Sequence, residues 1–150
     1  PCDILKAREV VISRKHKYVK AEGEDFNSIL VGIQQYKGNV HFYFAPTLSA
    51  EAISKCAELD KNERYKAIAG VIDSEIISSY RLWNTNYIAK DILDGTSNYS
   101  EYYSQQEKVE FEAYMEGGIS KIVERENHIC KDELREIFLS IYANPVAAKI

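Results

Sequence analysis

A chain of 150 residues has room for one domain with a core of its own, since a globule of this size buries roughly 68–70% of its unfolded surface. Hydrophobic residues at 45%, charged residues at 28% and three prolines exclude a disordered chain, because such chains are poor in aromatics and this one holds eleven tyrosines. A net charge of −4 excludes the surplus of Lys and Arg with which nucleic-acid binders neutralise phosphates, so no nucleic-acid partner is expected.

From Asp3, read as an N-cap, the run ILKAREVVISRK starts with strong helix formers and ends in basic residues that complement the helix dipole, which predicts a short first helix. RKHKYVKAEGE breaks the pattern. Gly23 then precedes EDFNSILVGIQQYKG, where Phe26, Ile29, Leu30 and Ile33 recur at i, i+3, i+4 and i+7; this second helix should bury that stripe and end near Gly38. YKGNVHFYFAP follows at 36–46 and predicts a strand over about 39–45. Val40, Phe42 and Phe44 alternate with His41, Tyr43 and Ala45, and Pro46 ends the ladder. Both faces are largely apolar, which suits a strand covered on both sides.

After Ser49, an N-cap, nearly everything reads as helix. A short one spans 50–59, and a long one spans 61–82 with Tyr65, Ile68, Ala69, Ile72, Ile76 and Tyr80 on one face. NYIAKDILDG makes a small helix closed by Gly95, and 96–100 is a polar break. Another long helix runs from 100 to about 124, weakened where Gly117 and Gly118 each cost about 1 kcal/mol against Ala. The last helix starts at Asp132, carries Leu134, Ile137, Phe138, Ile141 and Tyr142, and stops at Asn144-Pro145. The fold class is α+β, mostly helical, with one strand and six to seven helices. A lone strand leaves a row of backbone N–H and C=O groups without partners. Its ladder is therefore expected to come from a misread strand, a second copy of the chain or sequence before Pro1. The start Pro1-Cys2-Asp3 fits both a processed methionine and a piece of a longer protein.

In chain order, PCDILKARE, YKGNVHFYFAP, YRLWNTNYIAKDIL, FEAYMEGGI and IYANPVAAKI resemble one group of bacterial phospholipid/glycerol acyltransferases, the lysophosphatidic acid acyltransferase family. The resemblance covers nearly the whole chain and corresponds to the part of those proteins that follows their catalytic core motifs. PCD is similar to the piece just after a core strand. YKGNVHFYFAP is similar to the late core strand that many members end with Phe-Gly-x-Pro, although Phe44-Ala45-Pro46 lacks the glycine and the spacer. The resemblance implies that 1–48 close an α/β acyltransferase core and that 49–150 form a helical C-terminal extension. It implies a parent protein that transfers a fatty acyl group from an acyl thioester donor to a glycerol phosphate acceptor in phospholipid synthesis. That parent would be cytoplasmic, peripheral to the inner face of the membrane, without a cofactor, and this region would pack on its N-terminal catalytic part. The family's chemistry rests on His-x4-Asp, where the histidine deprotonates the acceptor hydroxyl and the aspartate orients it, and on a Glu-Gly-Thr-Arg type stretch associated with the acceptor's phosphate. His16 is followed five residues later by Ala21, His41 by Pro46 and His128 by Glu133. The chain is accordingly expected to be non-catalytic.

Outside the resemblance, Arg14, Lys15, His16, Lys17 and Lys20 form the one dense basic cluster. It suits an anionic lipid surface, where each Lys or Arg adds about 1 kcal/mol, or the phosphates of a thioester donor; a solvated helix end is the plain alternative. His128 and Asp132, one turn apart, could share a hydrogen bond or cap a helix start. His41 reads as a core histidine or as a polar group facing a cleft. Tyr99, Tyr102 and Tyr103, ahead of Phe111 and Tyr114, suit core packing or a membrane-interface belt. Asn86, Tyr87 and Asp91 read as a polar constellation or as a first-turn residue and packing groups. Cys2, Cys56 and Cys130, an odd number without CxxC spacing, indicate packed thiols in a reducing cytoplasm and no metal site. No stretch approaches the ~20 apolar residues of a membrane span. A different class of reading is a non-catalytic helical interaction module that self-associates by pairing its strand across a symmetric dimer. A small enzyme complete within the chain lacks any nucleophile, metal or phosphate-loop motif to support it.

Overall fold

The computed structural model describes residues 2–149. Among these are seven α-helices, one 3₁₀ turn and no β-strand: α1 (Asp3–Lys15), α2 (Glu24–Gln34), α3 (Ala50–Ala57), α4 (Lys61–Ser79), α5 (Asn84–Asp94), the 3₁₀ turn Ser100–Tyr102, α6 (Gln105–Arg125) and α7 (Lys131–Lys149). The helices fall into two compact units. One comprises the residues up to Asn39 with Leu82–Ala148, the other Val40–Arg81 with Lys149.

In the larger unit, α6 is the axis. Phe111, Met115, Ile119 and Ile122 repeat at helical spacing and are buried, packed among Ala7 and Val11 of α1, Ile88 and Ala89 of α5, and Leu134, Ile137, Phe138, Leu139 and Ala143 of α7. Phe111, Phe138 and Tyr142 form a ring cluster within that core. Local signals fix the ends of these helices. Ser104 Oγ accepts the Glu107 N–H while the Glu107 carboxylate accepts the Ser104 N–H, a capping box that starts α6. Gly95 closes α5 as predicted, and does so in the left-handed conformation at φ 67°.

Asp3 does not act as an N-cap. It is the first residue of α1, and its carboxylate accepts the hydroxyls of Tyr114 at 2.9 and 3.0 Å and of Tyr142, which ties α1 to α6 and α7. The helix expected from 100 instead begins at Gln105, because Tyr103 is extended and points its hydroxyl at Asp91 before the capping box takes over. α7 passes through Asn144-Pro145, where a stop was expected. Proline removes one N–H from the ladder, and buried Ala143 and Val146 on either side hold the helix together across the gap.

Two expectations fail for one reason, the absence of a partner. The segment predicted as a strand at 39–45 has no regular structure, with Phe42 81% and Phe44 92% exposed. Among the described residues no other strand offers it a ladder, and one strand alone is not stable. The α2 stripe, expected to be buried, is exposed as well: Phe26 70%, Ile29 61%, Ile33 69%. α2 ends at Gln34, before Gly38, and meets its own unit through the opposite side, where Cys2 Sγ donates to the Ser28 carbonyl and Gly32 lies close by. The α/β acyltransferase fold of the resemblance is likewise not reproduced, since the described residues contain only helices.

The smaller unit is the α3–α4 hairpin. Ser49 caps α3 as predicted, accepting the Ala52 N–H, and Asp60 caps α4 by accepting from Asn62 and Glu63. Arg64 donates to the carbonyls of Ala57 and Leu59, which fixes the turn. α4 stops at Ser79 rather than 82, and Tyr65, Ile72 and Ile76 of its expected packing face are exposed.

Candidate functional site

In the larger unit, a groove of about 510 Å³ lies along α6, with walls from α1 and α2. Ile4 and Leu5 of α1, Val31 of α2, and Ile122 and Phe138 supply apolar surface, and Asn27 and Gln35 of α2 place amides along one side. Along α6 the groove is lined by two adjacent i+4 rows, Tyr114, Gly118 and Ile122, and Ala113, Gly117, Lys121 and Arg125. The second row passes from small residues at one end to two cations at the other. Gly118, beside that row, faces the Ile4 side chain of α1, which a Cβ there would approach to 3.4 Å. Gly117 faces open space: a Cβ added to it meets no atom within 4 Å.

Lys121 and Arg125 have no ion pair or hydrogen bond with another side chain among the described residues. The carboxylates in the adjoining smaller cleft, Glu24 and Glu126, are already engaged. Glu126 receives Arg8 through two contacts of 2.6 and 2.9 Å, and this hydrogen bonding raises the guanidinium pKa. Glu24 accepts the Tyr18 hydroxyl and the Ala21 N–H, and those bonds lower its carboxyl pKa. The α1–α6 contact is thereby locked by one bidentate pair, and the two cations of the groove are left over.

Asp91 is fully buried and holds the loop after α5. It accepts from Thr96 Oγ1 at 2.8 Å, the Tyr99 N–H at 3.0 Å and the Tyr103 hydroxyl at 2.7 Å. Burial pushes its carboxyl up, but the donors outweigh burial and hold it below the ordinary range; Tyr103, half-buried against that carboxylate, is pushed up to about 12 by desolvation and by its hydrogen bond to Asp91. Every partner is local and structural. Asn86 has a comparable role, accepting the Trp83 N–H and donating to the Tyr142 carbonyl, so α5 is tied to α7. Tyr87 stacks on Tyr102 with ring centroids 4.3 Å apart and meets Tyr99 at 5.6 Å.

The basic cluster is only partly free. Lys15 pairs with Glu133 of α7 at 2.8 Å and Lys20 with Asp25, whereas Arg14 and Lys17 are exposed and have no ion pair among the described residues. His41 is exposed in the irregular segment and is not a core histidine. His128 lies exposed in the turn before α7, with no hydrogen bond to Asp132 among the described residues. No group of acidic, His and Cys side chains suited to a metal occurs among the described residues, and no described helix is long and apolar enough to cross a membrane. The groove cations escaped the sequence reading. Their i+4 row was visible, but nothing in it showed that α1 and α2 would wall it. Comparison with protein-family models, with curated proteins and with solved structures finds no match for this chain.

Proposed function

We propose that this chain is the C-terminal region of an acyltransferase that moves a fatty acyl group from an acyl thioester to a glycerol phosphate acceptor, and that the region is itself non-catalytic. The observation that supports this reading is the apolar surface left uncovered where the family resemblance puts the junction with a catalytic core: the α2 stripe and the alternating segment 39–45. Exposed phenylalanines at strand spacing are what a strand shows when its ladder is missing, since backbone pairing and apolar covering arrive together. On this reading 39–45 completes a sheet supplied by the N-terminal catalytic part, α2 packs its stripe on that body, and 49–150 extends it. Arg14 and Lys17 remain available to an anionic membrane surface on the cytoplasmic side.

The same exposed segment also fits the second reading, a self-associating helical module in which two copies pair their 39–45 segments. The coding frame upstream of Pro1 and the oligomeric state separate the two. An upstream His-x4-Asp and a Glu-Gly-Thr-Arg type stretch, with acyl transfer by the whole product, are expected. A frame that begins at Pro1, together with a tight concentration-independent dimer, would instead establish the module.

A further inference from the structure

The geometry points to the α1–α2–α6 groove as a binding site for a single-chain anionic amphiphile, with the apolar chain along Ala113 and Gly117 and the head group on Lys121 and Arg125. Ligand pockets of this size are mostly apolar with a few polar groups, and this one has that composition, with its two cations at one end and the Asn27 and Gln35 amides along a side. The two cations stand one turn apart, about 6 Å along the axis. They face the groove without a carboxylate partner, because Glu126 is held by Arg8 and Glu24 by Tyr18 and the Ala21 N–H. Both cations are exposed, so an anion at this end of the groove would meet their charge at its solvent-facing mouth. A carboxylate or a phosphate meets this requirement equally, so a fatty acid and a lysophospholipid acid share the chemistry. The inference rests on the groove and not on the acyltransferase reading.

The test uses the 150-residue chain, with oleate, oleoyl lysophosphatidate and neutral monoolein as probes, each titrated below its critical micelle concentration. At least one of the two anionic probes is expected to bind saturably at one site. Gly117→Leu fills the groove from a position where a Cβ meets no neighbour, and leucine suits a helix better than glycine. It should weaken the bound anion at least tenfold while the chain unfolds at the same or a higher denaturant concentration. Lys121→Gln with Arg125→Gln should weaken the bound anion about tenfold and leave monoolein unchanged. Phe26→Ser, on the far side of α2, should leave binding intact and so excludes adsorption to the exposed stripe. The larger loss between oleate and lysophosphatidate under the glutamine pair identifies the head group. The proposal is overturned if a folded Gly117→Leu chain binds like the wild type, if neither anion binds, or if the glutamine pair weakens monoolein equally. Saturable binding that passes these controls, in a protein whose reading frame lacks His-x4-Asp, would keep the groove and remove the acyltransferase reading. The converse pair of results would do the opposite.

Discussion

Phe138 and Phe42 carry the same side chain in opposite situations, the first 1% exposed in the core of α6 and α7, the second 81% exposed in an irregular segment. Both sit in well-formed hydrophobic patterns, one at helical and one at strand spacing. The difference lies in what each pattern requires. A helix satisfies its own backbone and needs only a covering face, which α1, α5 and α6 supply to α7. A strand needs a ladder before its side chains can be covered, and no described residue provides one. α2 stands between these cases: its backbone is satisfied, but its apolar stripe faces away from its own unit.

Substitutions can sharpen that contrast. Phe138→Ala should cost about 3–5 kcal/mol in denaturant unfolding, as large-to-small changes in a packed core do. Asp91→Ala should cost about 3 kcal/mol, since it strands the Tyr103 and Thr96 hydroxyls and the Tyr99 N–H around a buried space. The sign of its pH dependence follows from the depressed folded-state pKa. Asp91 contributes stability above the unfolded carboxyl pKa of about 3.9, and this is lost as pH falls through the lower folded value. Unfolding midpoints compared between pH 6 and pH 2 should therefore drop further for the wild type than for Asp91→Asn.

Adjacent glycines in α6 offer a finer comparison. Gly117→Ala should stabilise by about 0.8–1 kcal/mol, because alanine favours the helix and its Cβ meets nothing. Gly118→Ala should gain less, because its new Cβ comes within 3.4 Å of the Ile4 side chain, at the tight edge of ordinary contact. Equal gains at both positions would mean that α1 does not press on α6 there. Smallest of all, Phe26→Ser and Phe42→Ser should change the unfolding free energy of this chain by less than about 0.5 kcal/mol, as exposed substitutions do. A loss of core size from either would show that the stripe or the segment is already packed.

The helices were largely legible in the sequence because their signals are local. Ser49 and Gly95 mark ends where the structure has them, and Leu134, Ile137 and Phe138 are buried as their spacing predicts. The misses are cases where distant contacts overrule local preference. Tyr103 leaves the helical pattern for Asp91, and Pro145 stays in α7 because its neighbours are buried. Asp3 sits one residue inside the helix start, where its carboxylate accepts the Ile4 N–H and also two tyrosine hydroxyls more than a hundred residues away. The groove was invisible for the same reason: Lys121 and Arg125 look like an ordinary basic helix end, suited to the dipole of α6, until α1 and α2 are placed beside them. The exposed stripe is different, since its pattern was legible and only its partner was missing.

Amide hydrogen exchange across 36–46, measured in this chain and in the protein expressed from its whole reading frame, tests most directly whether that surface is a docking face for a catalytic core. The account predicts fast exchange throughout the segment in the chain alone. In the whole protein, the amides of 39–45 should become protected together with those of α2. Exchange in the whole protein as fast as in the isolated chain would contradict it, because a strand inserted in a sheet cannot leave its amides open to water.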